Sequence, residues 1–233
     1  MEKIVDELLN LLEKETIKVR YLIEAFILAN NQQSGKLVLE LLKDKYNLPI
    51  SKLSILNTQA LPYIPDEDYF EVLKKMLQHK NSSDRLKFFI IQKIGWRGKY
   101  AKSLTADLEK VLEGNSFLKG ITSIALSELE WEKEDVLIPN LIEALNLELE
   151  HTIRMNAARQ LTKFDTTNSI VLPALVNAME TDQDFRVRQK IANYIGELNR
   201  KETIPNLEKI IKNDKHTLVR SVASRVLKEL KEL

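Results

Sequence analysis

In four successive places an acid stands six residues before a recurring base, as Glu113 before Lys119, Glu148 before Arg154, Asp182 before Arg188 and Asp214 before Arg220. A carboxylate beside a cation could polarise a substrate or move a proton. Four copies at one spacing argue for a structural use instead. A carboxylate in a turn accepts from the N–H groups that open a helix, and a cation on a neighbouring unit can reach the same carboxylate. The expectation is a ladder of ion pairs along a stack, with no catalytic residue in it.

A second constellation lies upstream. From Lys74 to Lys102 nine basic residues (Lys74, Lys75, Lys80, Arg85, Lys87, Lys93, Arg97, Lys99, Lys102) face the single acid Asp84, and Phe88, Phe89, Trp96 and Tyr100 interleave with them. Lys87, Lys93, Trp96, Arg97, Lys99, Tyr100 and Lys102 form a candidate partner-binding patch, because cations neutralise phosphates while rings stack on bases. The alternative places Phe88 and Phe89 in the core, Trp96 against a helix end beside Gly95 and Gly98, and the lysines in water. Between Ser127 and Glu150 the balance reverses, with eight acids against Lys133. Glu128 with Glu132 and Glu130 with Glu134 would lie one turn apart on a helix, as a solvated face. His79, His151 and His216 lie in different units near the polar turn, no two spaced as ligands, and read as turn residues, so neither a metal nor a cofactor is expected. Six glycines form no phosphate-cradling series.

The elements that carry these residues are repeated. Arg20, Lys52, Arg85, Lys119, Arg154, Arg188 and Arg220 follow one another at intervals of 32, 33, 34, 35, 34 and 32 residues. A period in the thirties holding two helical stretches is the mark of an α-solenoid, whose units bury their apolar faces against their neighbours. Pro139, Pro173 and Pro205 each lie 15 residues before the basic residue, which places them at the starts of first helices. Ala157, Ala158 and Leu161, then Ile191, Ala192 and Ile195, then Ala223, Ser224 and Leu227 give the second helices an apolar or small face for close packing. Pro49, Pro62 and Pro65 interrupt the second unit. The first helix spreads its apolar residues broadly from Ile4 to Leu12, leaving surface for a partner or a second copy. The last confines them to one stripe, Val219 to Leu230.

Composition agrees with many amphipathic helices: 44% hydrophobic and 30% charged residues, with 35 basic against 34 acidic side chains. A balanced net charge gives no argument for wholesale binding to nucleic acid or membrane. The chain has no cysteine, which fits a reducing compartment and a cytoplasmic location. No signal peptide is expected, and no apolar run approaches the roughly 20 residues of a membrane span.

The run from Ile204-Pro205-Asn206-Leu207 through Val219-Arg220-Ser221-Val222-Ala223 resembles a HEAT repeat, of the kind grouped with the phycobilin-lyase-type repeats of bacteria. The resemblance implies one all-α domain over residues 1–233, a right-handed α-α superhelix of about seven helical hairpins, irregular over 1–102 and regular over 103–233. Second helices would line its concave face. It implies a non-enzymatic scaffold that binds a protein partner there. Two other readings stay open. The segment from Phe88 to Lys102 is similar to part of the HEAT-like DNA glycosylases that excise alkylated purines, which implies nucleic acid at the basic patch. Their catalytic pair, a tryptophan with an aspartate four residues on, precedes that segment; here Trp131 and Asp135 follow it, so catalysis does not carry over. The third reading is a bilin-lyase-like accessory protein, which would need an apolar pocket.

Overall fold

The computed structural model describes residues 66–79, 82–114, 116–146, 150–164 and 168–232. The expectations for Arg20, Lys52, Glu148, the prolines Pro49, Pro62 and Pro65, and the helix from Ile4 to Leu12 lie outside them. The described residues are α-helices, short 3-10 segments and turns, with no strand among them. Backbone contacts gather into two units, Met1–Lys110 and Val111–Leu233.

In the first unit, α1 (Asp66–Gln78) pairs with α2 (Asp84–Arg97). Ser83 opens α2 because its extended backbone lets Oγ accept from the Leu86 N–H at 3.2 Å, filling one of the donors a helix start leaves vacant. Ile90, Ile91 and Ile94 recur at helical spacing and are fully buried, as are Tyr69 and Leu73 across from them on α1. Gly98 ends α2 with φ 55 and ψ −137, a backbone state that side chains resist. The chain then tightens into a 3-10 segment (Gly98–Leu104) that buries Ala101 and Leu104 and leads to α3 (Thr105–Leu112). Asp107 on α3 is buried, and its carboxylate accepts from Gln78 Nε2 at 2.6 Å and lies 3.6 Å from Lys74 Nζ, tying α3 to α1.

The second unit is an α-solenoid. First helices α5 (Glu134–Asn146), α7 (Val171–Thr181) and α9 (Ile204–Asn213) pack in one layer, while α4 (Ser116–Glu128), α6 (His151–Leu161), α8 (Phe185–Glu197) and α10 (Thr217–Glu232) pack side by side in the other. Each helix buries its apolar stripe against the partner in its own hairpin and the equivalent helix of the next. Ile153, Ala157, Ala158 and Leu161 fill the seam on α6, and Val187, Ile191, Ala192 and Ile195 fill it on α8.

Three sequence expectations need correction. Pro205 and Pro173 do lie in the first turns of α9 and α7, but Pro139 is the sixth residue of α5, not its start. Pro139 and Asp135, whose carbonyl it leaves without an N–H, are both exposed, so water can take that acceptor. In α10 Ser224 is exposed and donates to the Arg220 carbonyl, and Leu227 is only half-buried; Val219, Ala223, Val226 and Leu230 supply the core. Lastly, Glu128, Glu130, Glu132 and Glu134 do not share a helix. Helix α4 stops at Glu128, Glu130 adopts φ 59, and its N–H and that of Trp131 return to the carbonyls of Ser127 and Leu126. This double return is a Schellman stop.

Helices α8 and α10 meet most tightly at Gly196. A Cβ placed there would lie 2.9 Å and 3.0 Å from the two methyls of Val226, a buried β-branched side chain with little freedom to rotate away. Gly196→Ala should therefore lower stability by about 1 to 2 kcal/mol despite alanine's better helix propensity. Val226→Ala in the same chain should recover part of that loss; urea unfolding of the two single variants and the double variant measures the coupling.

Candidate functional site

The side-chain fork of each rung runs between successive hairpins, not between an acid and a base six residues apart such as Asp182 and Arg188. Arg154 on α6 donates to Asp182 of the next hairpin, Nε to Oδ2 at 2.7 Å and Nη2 to Oδ1 at 2.8 Å. Arg188 on α8 repeats the contact with Asp214, at 2.7 Å and 3.0 Å. Within its own hairpin Nη1 of Arg188 donates to the Asp182 carbonyl and that of Arg220 to the Asp214 carbonyl, both at 2.7 Å. Each aspartate also accepts from a backbone N–H two residues on, that of Asp184 or His216, at 2.8 Å. The arginine side chains are 14% and 12% exposed and the aspartates 4%. These are desolvated, bidentate pairs. Of the other ladder residues, Lys119 on α4 is half-buried and Glu113 is exposed, while Glu148 lies outside the described residues.

A second row runs beside these rungs. His151 Nδ1 lies 3.8 Å from Asp184 Oδ2, and the rings of Phe185 and His216 stack at 3.7 Å. The guanidinium of Arg186 forks onto Asp184 at 2.6 to 3.2 Å and, with the Arg186 N–H, holds that carboxyl well below the usual range against the effect of burial. A shallow groove opens here between the two turns. Its carboxylates are already satisfied, Asp182, Asp184 and Asp214 by arginines and backbone donors and Glu180 by Asn206 and Lys209, so they are poor bases. Among the described residues no group of three or more His, Cys, Asp or Glu could hold a metal, and no helix is long and apolar enough to cross a membrane.

The upstream patch is only partly assembled. Lys93 is buried, 5% exposed, with Nζ 3.9 Å from the centre of the Trp96 ring, while Trp96 itself is 68% exposed. Tyr100 is 69% exposed, with Lys99 Nζ 5.9 Å from its ring centre. Arg97 turns toward the Tyr69 ring at 5.2 Å, and Lys102 is exposed. Lys87, six residues before Lys93, is about 240° round α2 from it, on another side of the helix. The reading of the lysines as solvated is corrected at Lys93, which is buried, while Trp96 at the end of α2 covers it. Phe88 and Phe89 are half-buried and meet edge to face at 5.8 Å instead of filling the core.

One buried polar cluster has no counterpart in the sequence expectations. Ser127 Oγ donates to Gln160 Oε1 at 2.9 Å, Gln160 Nε2 donates to Glu128 Oε1 at 2.8 Å, and Arg159 pairs with the same glutamate. Only the 33-residue separation of Ser127 and Gln160, one repeat length, could have hinted at it.

A family model for HEAT repeats matches residues 138–228, from within α5 to within α10. The matched run contains every rung described above and excludes Trp96 and Tyr100. No curated protein matches the chain.

Two outcomes follow from these groups. Arg188→Ala leaves Asp214 buried without its fork and should cost about 2 to 4 kcal/mol in urea unfolding near neutral pH. Burial works to raise the Asp214 carboxyl, but Arg188 and the His216 N–H outweigh it and hold it below its ordinary value. Its stabilisation is therefore complete above about pH 4 and lost as pH falls through the lower folded value, so the gap between Arg188→Ala and the natural chain should close in acid.

Lys93 behaves in the opposite sense, because burial pushes its ammonium down from 10.5 to about 8. Below about pH 8 both folded and unfolded chains carry the charge, and only the folded chain bears its desolvation. Between about 8 and 10.5 the folded chain is deprotonated first, so its stability rises through that window. Lys93→Met should be more stable than the natural chain near pH 7, with the difference narrowing toward pH 10 in denaturation curves.

Proposed function

Since residues 138–228 are HEAT repeats, we propose that this protein is a non-enzymatic scaffold that holds a protein partner on the face formed by its second helices. The observation that carries this reading is the side-by-side packing of α4, α6, α8 and α10. Such packing presents one continuous wall of side chains to a partner. Lys190 and Arg225 stand exposed on that wall and Tyr194 is half-buried, a mixture of ring and cation suited to protein contact. Arg225 is steadied by Asn193 on the neighbouring helix at 2.5 Å, so part of its ordering is complete before any partner arrives.

A scaffold also agrees with how the polar groups are used. The buried carboxylates Asp182, Asp214 and Asp107 each hold several hydrogen bonds or ion pairs, and a base so occupied gains little by taking a substrate proton. Rigid walls with satisfied interiors recognise partners by surface.

The wall can be separated from the rest of the unit by paired substitutions. Lys190→Glu with Arg225→Glu reverses two exposed charges on α8 and α10, and Glu208→Lys with Lys212→Glu alters exposed positions on α9. In affinity capture from the native cell, a partner held by the natural chain should be lost with the first pair and retained with the second, with melting curves of both near the natural one. Equal retention by both variants would place the partner elsewhere.

A further inference from the structure

Trp96 and Tyr100 are the two most exposed large aromatic residues among those described, four positions apart where α2 passes into the 3-10 segment. A single exposed indole is ordinary, but two large exposed rings four positions apart mark a candidate contact surface. The geometry of Trp96 narrows what it contacts. The Lys93 ammonium lies 3.9 Å from the ring centre and is itself buried, so the ring lies flat over it with one face taken and the other open. The cation fixes the ring's orientation. A flat ring with one open face offers a stacking platform. Protein side chains gain most from concave, fully desolvated pockets, whereas a base needs only a planar face. Over residues 93–104, which carry both rings, every charged side chain is basic, and Lys99 and Lys102 are exposed.

We propose that the Trp96–Tyr100 surface binds single-stranded nucleic acid, with bases stacked on the open faces of the two rings and phosphates held by Lys99 and Lys102. A duplex keeps its bases stacked on one another and would offer these rings only its backbone. The site does not depend on the second-helix wall of the other unit, and Lys190→Glu with Arg225→Glu should leave it unchanged.

The test uses the intact chain carrying Trp131→Phe, which leaves Trp96 as the only indole of the two. Its emission is followed while a single strand of about 12 nucleotides, the same sequence as blunt duplex, or polyglutamate of similar charge is added, between roughly 50 and 200 mM salt. The single strand should quench Trp96 and bind more tightly than either competitor. Trp96→Ala, read by anisotropy of labelled strand, should weaken binding about 5- to 150-fold, the range that 1 to 3 kcal/mol of stacking represents. Trp96→Phe, which keeps a ring over Lys93, should retain most of the affinity. Lys99→Glu with Lys102→Glu should flatten the log–log salt slope by about 1.4, at roughly 0.7 per phosphate on a single strand. Duplex preferred without quenching would mean backbone contact alone, and polyglutamate bound as tightly would mean an acidic protein partner. Either result, or no binding at the lowest salt, overturns the proposal. Should Trp96→Ala melt early, Trp96→Phe and the lysine pair decide it.

Discussion

Everything in the second unit hangs on a carboxylate asked to do two things at once. Asp182 and Asp214 each accept the backbone N–H at the entry to a second helix and the fork of an arginine one hairpin back. Burying such a charge would be prohibitive if either set of donors were missing. With both present, local helix initiation and long-range stacking become one event, and a turn that adopts the wrong backbone forfeits the contact with its neighbour as well.

The arginine carries a matching double duty. Its fork points forward to the next turn while Nη1 in Arg188 points back to the carbonyl of Asp182, so one planar group spans two turns. Lysine has no such geometry, since its single ammonium cannot serve a bidentate acceptor and a separate carbonyl along fixed directions. Hydrophobic seams supply most of the cohesion between hairpins, but they are tolerant of sliding. The forked pair is not, and it fixes how far each hairpin is displaced along the next.

Much of this was legible in the sequence because it is periodic. The recurring base, the acid six before it and the alanines at Ala157, Ala158, Ala192 and Ala223 give the second helices and their close seams directly. The cross-unit ladder expected from that spacing is what the fork forms; what periodicity conceals is the second contact, by which Nη1 of Arg188 turns back to the Asp182 carbonyl in its own hairpin. Pro139 misled for a related reason, since a proline marks where an N–H is dispensable, and the solvent side of α5 met that condition as well as a helix start. At the upstream patch the reading that left every lysine in water missed Lys93, because a lysine stem is long enough to pass beneath an indole. The Ser127, Gln160 and Glu128 cluster carries too little charge to stand out in a chain with 30% charged residues.

Because each hairpin contributes the acid of one rung and the base of the following one, adding a hairpin adds one rung and strands no interior charge. Copying one whole unit, or deleting one, joins an arginine to an aspartate that is chemically the same as the partner it had before. Only a change in length that is not a whole unit would strand a buried charge. The bond pattern of Arg154, Asp182, Arg188 and Asp214 thereby makes the gene segment for a single hairpin an interchangeable part, and lets the binding wall lengthen or shorten without redesigning its interior.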